Sequence, residues 1–352
     1  MVYVINALLI LFWNLAIPST VAKKKKIICI LYCLQWVLLS GLRAYSVGAD
    51  TYAYKIHNFD KTLNKSWAEI FNNFVEYCRG VEGIKDPAYK IFEKTCQVFI
   101  GGNYTLFLFI IAIVFTVPLT VWVYKYSDNV CLSFMIYSAL FYSFFAITGH
   151  RQTIASALVI FAGYECMKKN KIFPLLLVHL VAFFIHKSSI CFIILYFARF
   201  IKINKWYWCI STLLIVLSFV FRNRLMNFLG SFMGYDQYTD QFEGAGAYKF
   251  TFFLLLVYVG TLITYSRMPK NVDTDFSVVA LTLSVFFTPL TFVDPNAMRV
   301  VQYFSIFILI LIPRIISIFD RNSQRFVNFG CYAVLLGALL IGAQDYTFIF
   351  WA

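Results

Sequence analysis

Residues 130–167 read VCLSFMIYSALFYSFFAITGHRQTIASALVIFAGYECM, in which two apolar runs flank the polar tetrapeptide Gly149-His150-Arg151-Gln152. Runs of this length and apolarity are typical of helices that cross a bilayer. The guanidinium of Arg151 stays charged at any working pH, and a charge at the bilayer centre costs about 2.5 kcal/mol or more. The stretch therefore predicts a helical membrane protein that places an anion-binding group at the mouth of its helix bundle.

The composition of the whole chain extends this prediction. Of its 352 residues, 61% are hydrophobic and only 13% are charged, whereas soluble domains carry about 25% charged residues. We predict an all-α, polytopic fold with about 12 transmembrane helices in a single integral membrane domain, residues 1–352. The predicted spans are 2–22, 27–42, 104–124, 130–148, 152–167, 172–186, 189–201, 206–221, 249–267, 276–292, 299–318 and 326–343.

The distribution of lysine and arginine predicts the orientation. Alternate breaks between spans, with their flanking helix ends, carry 16 basic and 5 acidic residues, and the opposite side carries 14 and 12. The first side is therefore predicted to be cytoplasmic, and Arg151 to face the extracytoplasmic side. This topology also explains the net charge of +13 without nucleic-acid binding.

Two long segments lie on the predicted extracytoplasmic side. Residues 43–103 contain amphipathic spacing around Trp67, which predicts a helix lying on the membrane surface. Cys78 and Cys96 share this segment and could form a disulfide if it is extracytoplasmic. Residues 222–248 form the second segment, in which Gly244-Ala245-Gly246-Ala247 suits a lid.

The chain lacks the common cofactor motifs. It has no Walker motif, no dinucleotide fingerprint and no zinc-binding spacing. ATP hydrolysis is therefore not expected, and no metal or cofactor is predicted.

Four polar clusters on the predicted outer face supply the candidate site residues. Arg151 offers a planar fork of donors for phosphate oxygens, and Gln152 adds hydrogen bonds. The alternative is that Arg151 reaches lipid headgroups and only separates two helices. The other candidates for an anion are Arg43, Lys187 and Arg299.

Carboxylates, tyrosines and one histidine in these clusters suit a sugar substrate. Candidate bases are Asp50, Asp86 and His186, and candidate glycan-binding rings are Tyr52, Tyr89 and Tyr303. Structural explanations remain open for each cluster. They are an aromatic belt with an Arg43–Asp50 pair, a solvated Asp86, a helix end at His186, and an Asp294–Arg299 pair that closes a turn.

The order of these motifs resembles the EpsG-type branch of the Wzy polysaccharide polymerases. The resemblance rests on Arg43 with Gly48 and Asp50, Asp86-Pro87-Ala88-Tyr89, Arg151-Gln152, Phe184-Ile185-His186-Lys187-Ser188, Arg299 with Tyr303, and the aromatic tail Tyr346-Thr347-Phe348. The chain departs from the Glu-Pro-Gly-Tyr-like motif expected of that family, because it has Asp86 and Ala88.

The resemblance implies a bacterial cytoplasmic (inner) membrane glycosyltransferase with a GT-C-like architecture. Such an enzyme transfers a growing undecaprenyl-pyrophosphate-linked glycan onto the non-reducing end of the next lipid-linked repeat unit, outside the membrane, without nucleotide sugars. Its implied partners are the lipid-linked glycans, membrane lipid, a chain-length regulator and a flippase.

Two other functions fit the same residues. A ligase of the O-antigen type would move finished glycan to another acceptor. A transporter or flippase for an anionic lipid-linked substrate would need polar groups near the membrane midplane, whereas the polar groups here cluster at one predicted face.

Overall fold

The computed structural model describes residues 1–233, 248–342 and 344–351, and these residues are almost wholly helical. The α-helices are α1 (Val2–Ala16), α2 (Lys24–Gly41), α3 (Thr51–Tyr54), α4 (Asp60–Leu63), α5 (Trp67–Cys78), α6 (Pro87–Ile100), α7 (Tyr104–Tyr126), α8 (Val130–Leu140), α9 (His150–Ser156), α10 (Tyr164–Lys168), α11 (Ile172–Ile185), α12 (Lys205–Val220), α13 (Arg222–Met233), α14 (Tyr248–Thr264), α15 (Val272–Phe287), α16 (Met298–Ser305), α17 (Ile308–Ser317) and α18 (Arg321–Gly342).

Several of these helices continue into π-helical or 3₁₀-helical stretches. The π-helical stretches are Lys55–Phe59, Ser143–Ile147 and Ala157–Gly163, and the 3₁₀ stretches are Lys187–Phe200, Tyr265–Arg267, Thr288–Phe292, Pro295–Ala297 and Ile349–Trp351. The π stretches at 143–147 and 157–163 lie on either side of Gly149-His150-Arg151-Gln152, and π turns are frequent near functional sites.

The all-α prediction for a polytopic membrane protein is confirmed. Every predicted span contains helical structure, although α1 ends at Ala16 within the predicted span 2–22. Apolar segments in lipid form helices because they must satisfy their own backbone hydrogen bonds. Among the described residues, four helices are long and apolar enough to cross a membrane, and up to six if each bent pair forms one span. The four are Tyr104–Tyr126, Tyr248–Arg267, Val272–Phe292 and Arg321–Gly342.

The chain divides into two compact units, residues 1–189 with 326–352, and residues 190–325. In the first unit, α2 and α7 pack side by side, and Gly41 allows the approach because a Cβ there would collide with the ring of Phe109. The hydroxyl of Tyr32 donates to the carbonyl of Ile10 at 2.7 Å, and the indole of Trp36 donates to Ser138 at 3.2 Å. These bonds tie α2 to α1 and α8.

The C-terminal segment closes the same unit against the end of α2. Ala44 N–H donates to the carbonyl of Thr347 at 2.8 Å, and Ile349 N–H donates to Leu42 at 2.9 Å. Arg43 thereby pairs with Phe348 in an isolated antiparallel bridge. The backbone of Arg43 is thus held between α2 and the chain end.

In the second unit, α15 packs against α14, α12, α16 and α17. The hydroxyl of Tyr258 on α14 bonds Ser211 and Thr212 on α12 at 2.8 and 3.0 Å. The hydroxyl of Tyr207 on α12 bonds Thr282 on α15 at 2.6 Å. Hydroxyl pairs therefore join these apolar helices.

Residues 43–103 contain the helix that the amphipathic spacing predicts, α5. It begins with a capping box in which Ser66 accepts from Glu69 N–H at 3.2 Å and Glu69 accepts from Ser66 N–H at 2.6 Å. Trp67, Phe71 and Val75 are exposed at one-turn spacing. Its position on a membrane surface stays a prediction.

Two further expectations for the long segments have definite outcomes. Cys78 and Cys96 are free thiols, one exposed and one buried, so the disulfide does not form. Helix α13 begins at Arg222, directly after a sharp bend from α12, so the start of the 222–248 segment is helical. The proposed lid at Gly244-Ala245-Gly246-Ala247 lies outside the described residues.

Substitution of Gly48 tests whether residues 43–54 pack against the core as the structure shows. Its φ is +91°, and an added Cβ would lie 2.7 Å from Ile147 Cγ2 and 2.8 Å from the Ile147 carbonyl oxygen. Gly83 has a similar φ of +89° with open space around it. We expect Gly48→Ala to lower stability by about 2 kcal/mol more than Gly83→Ala. Thermal unfolding in detergent measures this, and equal midpoints for the two variants would contradict the contact with Ile147.

Candidate functional site

An ion pair between Arg151 and Asp86 lies at the centre of the site in the first unit. Arg151 Nη1 donates to Asp86 Oδ2 at 2.6 Å, across 65 residues of sequence. The side chain of Asp86 is 9% exposed and that of Arg151 is 28% exposed. The carboxylate is therefore enclosed, whereas part of the guanidinium remains open.

The backbone at Asp86 aims its carboxylate toward Arg151. Asp86 adopts a left-handed conformation with φ 52° and ψ 56°, which aspartate tolerates better than most residues. Pro87 begins α6, and the Asp86 carboxylate does not cap that helix. Burial raises the pKa of the Asp86 carboxyl, but His186 and the Arg151 guanidinium lower it by more, so it lies below its ordinary value of 3.8.

The depressed pKa of Asp86 predicts a pH dependence of stability. A carboxyl with a lower pKa in the folded state stabilises the fold above about pH 4, and loses this contribution as pH falls through the folded value. We expect Asp86→Asn to cost about 2 kcal/mol between pH 5 and 8, and progressively less below pH 4. Unfolding midpoints against pH measure this, with Asp50→Asn as a matched surface control.

A second arginine joins the site through two stacked rings. Arg151 Nε donates to the hydroxyl of Tyr54 at 3.1 Å. The Tyr54 ring stacks on His150 at 4.5 Å between centroids, and Arg43 Nη2 lies 3.0 Å from His150 Nε2. Gly149, whose φ is +68°, is the N-cap residue of α9, the helix that carries both His150 and Arg151.

The guanidinium of Arg43 is buried, and no carboxylate among the described residues pairs with it. Arg43 is 1% exposed, and Nη1 donates to the carbonyl and hydroxyl of Ser40 and to the carbonyl of Ala146. Its Nε makes no hydrogen bond to the described residues. None of these partners carries a negative charge, and a buried cation is costly unless a negative charge is near. Asp86 is the one carboxylate among the described residues that pairs with either arginine, and it pairs with Arg151, so the two arginines leave an excess of positive charge.

His186 reaches the same carboxylate from the end of α11. Its Nδ1 lies 3.7 Å from Asp86 Oδ2, slightly beyond hydrogen-bond distance, and the residue is 9% exposed. Phe184, two residues earlier, contacts Phe74 and Tyr77 of α5 at 4.9 and 5.9 Å between centroids. Helix α5 therefore packs against the end of α11 that carries His186.

One face of α6 holds a buried network that the sequence analysis missed. Lys90 donates to Glu93 at 3.0 Å and to Asn58 at 2.8 Å, and Thr62 donates to Glu93 at 3.0 Å. Burial raises the pKa of Glu93 above its ordinary value of 4.5, although Lys90 opposes this. Positions 86, 89, 90, 93 and 97 share a helix face, and that spacing was the available signal.

The other candidates in the first unit are placed differently. Asp50 and Tyr52 are exposed, and Asp50 makes no side-chain bond to the described residues. Tyr89 is wholly buried, with its ring 6.0 Å from that of Tyr54, so it presents no open face to a glycan. Gln152 is buried, whereas Lys187 is exposed with its ammonium 5.6 Å from the Tyr77 ring. The Arg43–Asp50 pair, which was the alternative structural explanation of this cluster, does not form.

Arg299 and Tyr303 belong to the second unit. Both lie on α16, Arg299 partly exposed and Tyr303 buried near Phe192. Asp294 caps the preceding 3₁₀ turn by accepting from Asn296 N–H at 2.8 Å. Their role in the site stays a prediction.

Metal-ligand clusters are absent from the part of the chain that the structure describes. No group of three or more His, Cys, Asp or Glu residues there could hold a metal ion. The ionisable side chains gathered in this part of the first unit are those of Arg151, Arg43, Asp86 and His186.

These features define the class of protein: a multi-pass integral membrane protein with a partly open arginine in a polar site among apolar helices. A family model, described as the EpsG family, matches residues 26–348. The chain belongs to the EpsG family, which is a family of Wzy-like polysaccharide polymerases. No curated protein and no solved structure matches the chain significantly.

Proposed function

We propose that this protein polymerises a polysaccharide from lipid-linked repeat units. It would transfer a growing undecaprenyl-pyrophosphate-linked glycan onto the non-reducing end of the next lipid-linked unit, at the extracytoplasmic face. Family membership supports a polysaccharide polymerase broadly. The observation that carries the finer proposal is the partly open guanidinium of Arg151, which Tyr54 and His150 connect to the buried guanidinium of Arg43.

Arg151 is proposed to bind the pyrophosphate. Its Nε and Nη1 are held by Tyr54 and Asp86, and its Nη2 makes no hydrogen bond to the described residues. Nη2 is thus available to a phosphate oxygen. The bonds to Tyr54 and Asp86 already fix the orientation of the Arg151 side chain. Such preorganised donors stabilise charge that develops on a leaving group.

Arg43 is proposed to act by its charge rather than by contact. At 1% exposure it is enclosed by Ser40, Ala146 and His150, so a phosphate would not touch it in this conformation. In a low-dielectric environment, however, a nearby unpaired cation favours binding of an anion. Arg299 and Lys187 remain further proposed pyrophosphate ligands.

His186 is proposed as the general base, with Asp86 as its positioning residue. The acceptor hydroxyl would attack the anomeric carbon, the bond from that carbon to the pyrophosphate oxygen would break, and His186 would take the hydroxyl proton. Because its pKa is depressed and it is paired with Arg151, Asp86 is a weak base. Asp50 remains an alternative base at the exposed start of α3.

The proposal includes a topology. Twelve crossings, both termini outside the cytoplasmic membrane and a GT-C-like architecture follow from the alternating lysines and the family resemblance. This topology is tested by inserting a protease cleavage site into residues 168–171 or 321–325, the breaks between predicted spans, and adding the protease to intact cells. Accessibility from outside at either break would contradict it.

The function is tested by deleting the gene in its native host and separating lipid-linked and surface glycans on a gel. The proposal predicts that long polymer disappears and that single repeat units remain on the lipid carrier. Long polymer that stays on the carrier without reaching its final acceptor would indicate a ligase. Unchanged glycan would contradict both functions.

A further inference from the structure

An apolar groove opens between α12 and α15 in the second unit. Its volume is about 500 Å³, within the usual range for ligand pockets. One wall consists of Trp206, Ile210 and Leu214, which are 65%, 55% and 47% exposed. Leu283 and Phe286 of α15 line the opposite wall.

The groove lies on helices that the composition places in a membrane. Val272–Phe292 is a candidate span, and Lys205–Val220 forms a candidate span with the helix after it. A lipid-facing groove in a bilayer holds no water to solvate a polar occupant. An acyl chain is therefore the occupant whose chemistry fits these walls.

Basic and amphipathic groups mark one end of this groove. Lys202 and Asn204 line it there, and Asn204 caps α12 by accepting from Trp206 and Tyr207 N–H at 2.9 and 3.1 Å. The ammonium of Lys205 lies 5.8 Å from the Trp206 ring. Among the described lining residues none is acidic. Tryptophan and lysine at a helix end are typical of the headgroup level.

We infer that this groove binds one acyl chain of an anionic glycerophospholipid, with the headgroup at Lys202. Charge complementarity selects the headgroup, and the apolar walls of α12 and α15 hold the chain. The inference does not depend on the catalytic proposal, because every lining residue of the groove belongs to the second unit. It assigns a structural lipid to the leaflet at the lysine-rich end of α12.

Native mass spectrometry of the delipidated full chain tests this inference. Phosphatidylglycerol and phosphatidylcholine with identical acyl chains are added in steps, and the bound fraction of each is measured. We expect one phosphatidylglycerol to be retained with at least about fivefold preference, since one basic group near an anionic lipid contributes roughly that factor. Equal binding of the two lipids would overturn the inference.

Two variants with matched controls separate the headgroup from the chain. Lys202→Gln should remove about fivefold of the phosphatidylglycerol preference, and Lys171→Gln, in the other unit, should not. Leu214→Trp fills the groove and should weaken both lipids, whereas Leu213→Trp, exposed on the same helix but outside the lining, should bind as wild type. Leu214→Trp binding as tightly as Leu213→Trp would also overturn the inference.

A polyprenyl phosphate serves as the competing probe. If it displaces phosphatidylglycerol at equal concentration from the wild-type chain, and Leu214→Trp abolishes its binding, the groove belongs to a carrier lipid and the inference is wrong. Retention of phosphatidylglycerol in its presence supports the glycerophospholipid.

Discussion

Replacing Arg151 with lysine is expected to lower polymer synthesis at least about 100-fold, the size of effect seen when one preorganised donor to a developing anion is removed. Lysine keeps the charge, but its single ammonium cannot contact Tyr54, Asp86 and a phosphate in the planar geometry of a guanidinium. The measurement is the amount of long polymer in the deletion host after complementation, normalised to membrane protein level.

The matched control for this variant is Arg79→Lys. Arg79 is exposed at the end of α5 in the same unit. Arg79→Lys therefore makes the same chemical change away from the site. We expect full rescue by the control. Normal polymer from Arg151→Lys would remove Arg151 from the pyrophosphate site. If Arg151→Lys is absent from the membrane, Arg151→Gln is tested in its place, because glutamine removes the charge and keeps hydrogen bonding.

Replacing His186 with glutamine is expected to lower the rate about 100-fold to 10,000-fold, the usual contribution of a general base. Glutamine preserves polarity at the end of α11 but does not accept a proton near neutral pH. The readout that separates a base from a structural residue is the pH profile. In the variant, the residual rate should rise with hydroxide concentration instead of following the wild-type curve.

His57→Gln is the control for His186, because His57 is exposed and lies in the same unit, within the 43–103 segment. Asp86→Asn provides a second comparison. If Asp86 only positions His186 and Arg151, this variant should retain the shape of the wild-type pH profile at a lower rate. A wild-type rate from His186→Gln would assign the proton transfer to another group, with Asp50→Asn as the next variant to measure.

The helices were predictable from sequence because their cause is local. Apolar runs such as 104–124 must form helices in lipid, and the observed α7 ends within two residues of that range. Shorter elements depend on tertiary packing. The π stretch at Ser143–Ile147 and the 3₁₀ stretch at Lys187–Phe200 have no distinctive composition, so the sequence predicted ordinary helices there.

Several of the residues that lie together around Arg151 were predictable from the sequence, but their geometry was not. Arg151, Asp86, Arg43 and His186 were all candidates, yet the contacts Asp86–Arg151, Asp86–His186 and Arg43–His150 each join residues that are 65 or more positions apart. The departure of Asp86 from the expected motif argued against it, although the structure places it between Arg151 and His186. Tyr54 was present in the same cluster as Asp50, and only packing distinguishes the two.

The central claim is tested most directly with the purified protein in lipid vesicles and a single substrate, the undecaprenyl-pyrophosphate-linked repeat unit. Without nucleotide sugar or ATP, we predict a ladder of lipid-linked glycans that grows by one repeat unit per step. Arg151→Lys should give the monomer alone, and Arg79→Lys the full ladder. Unextended substrate with folded wild-type protein would contradict the account.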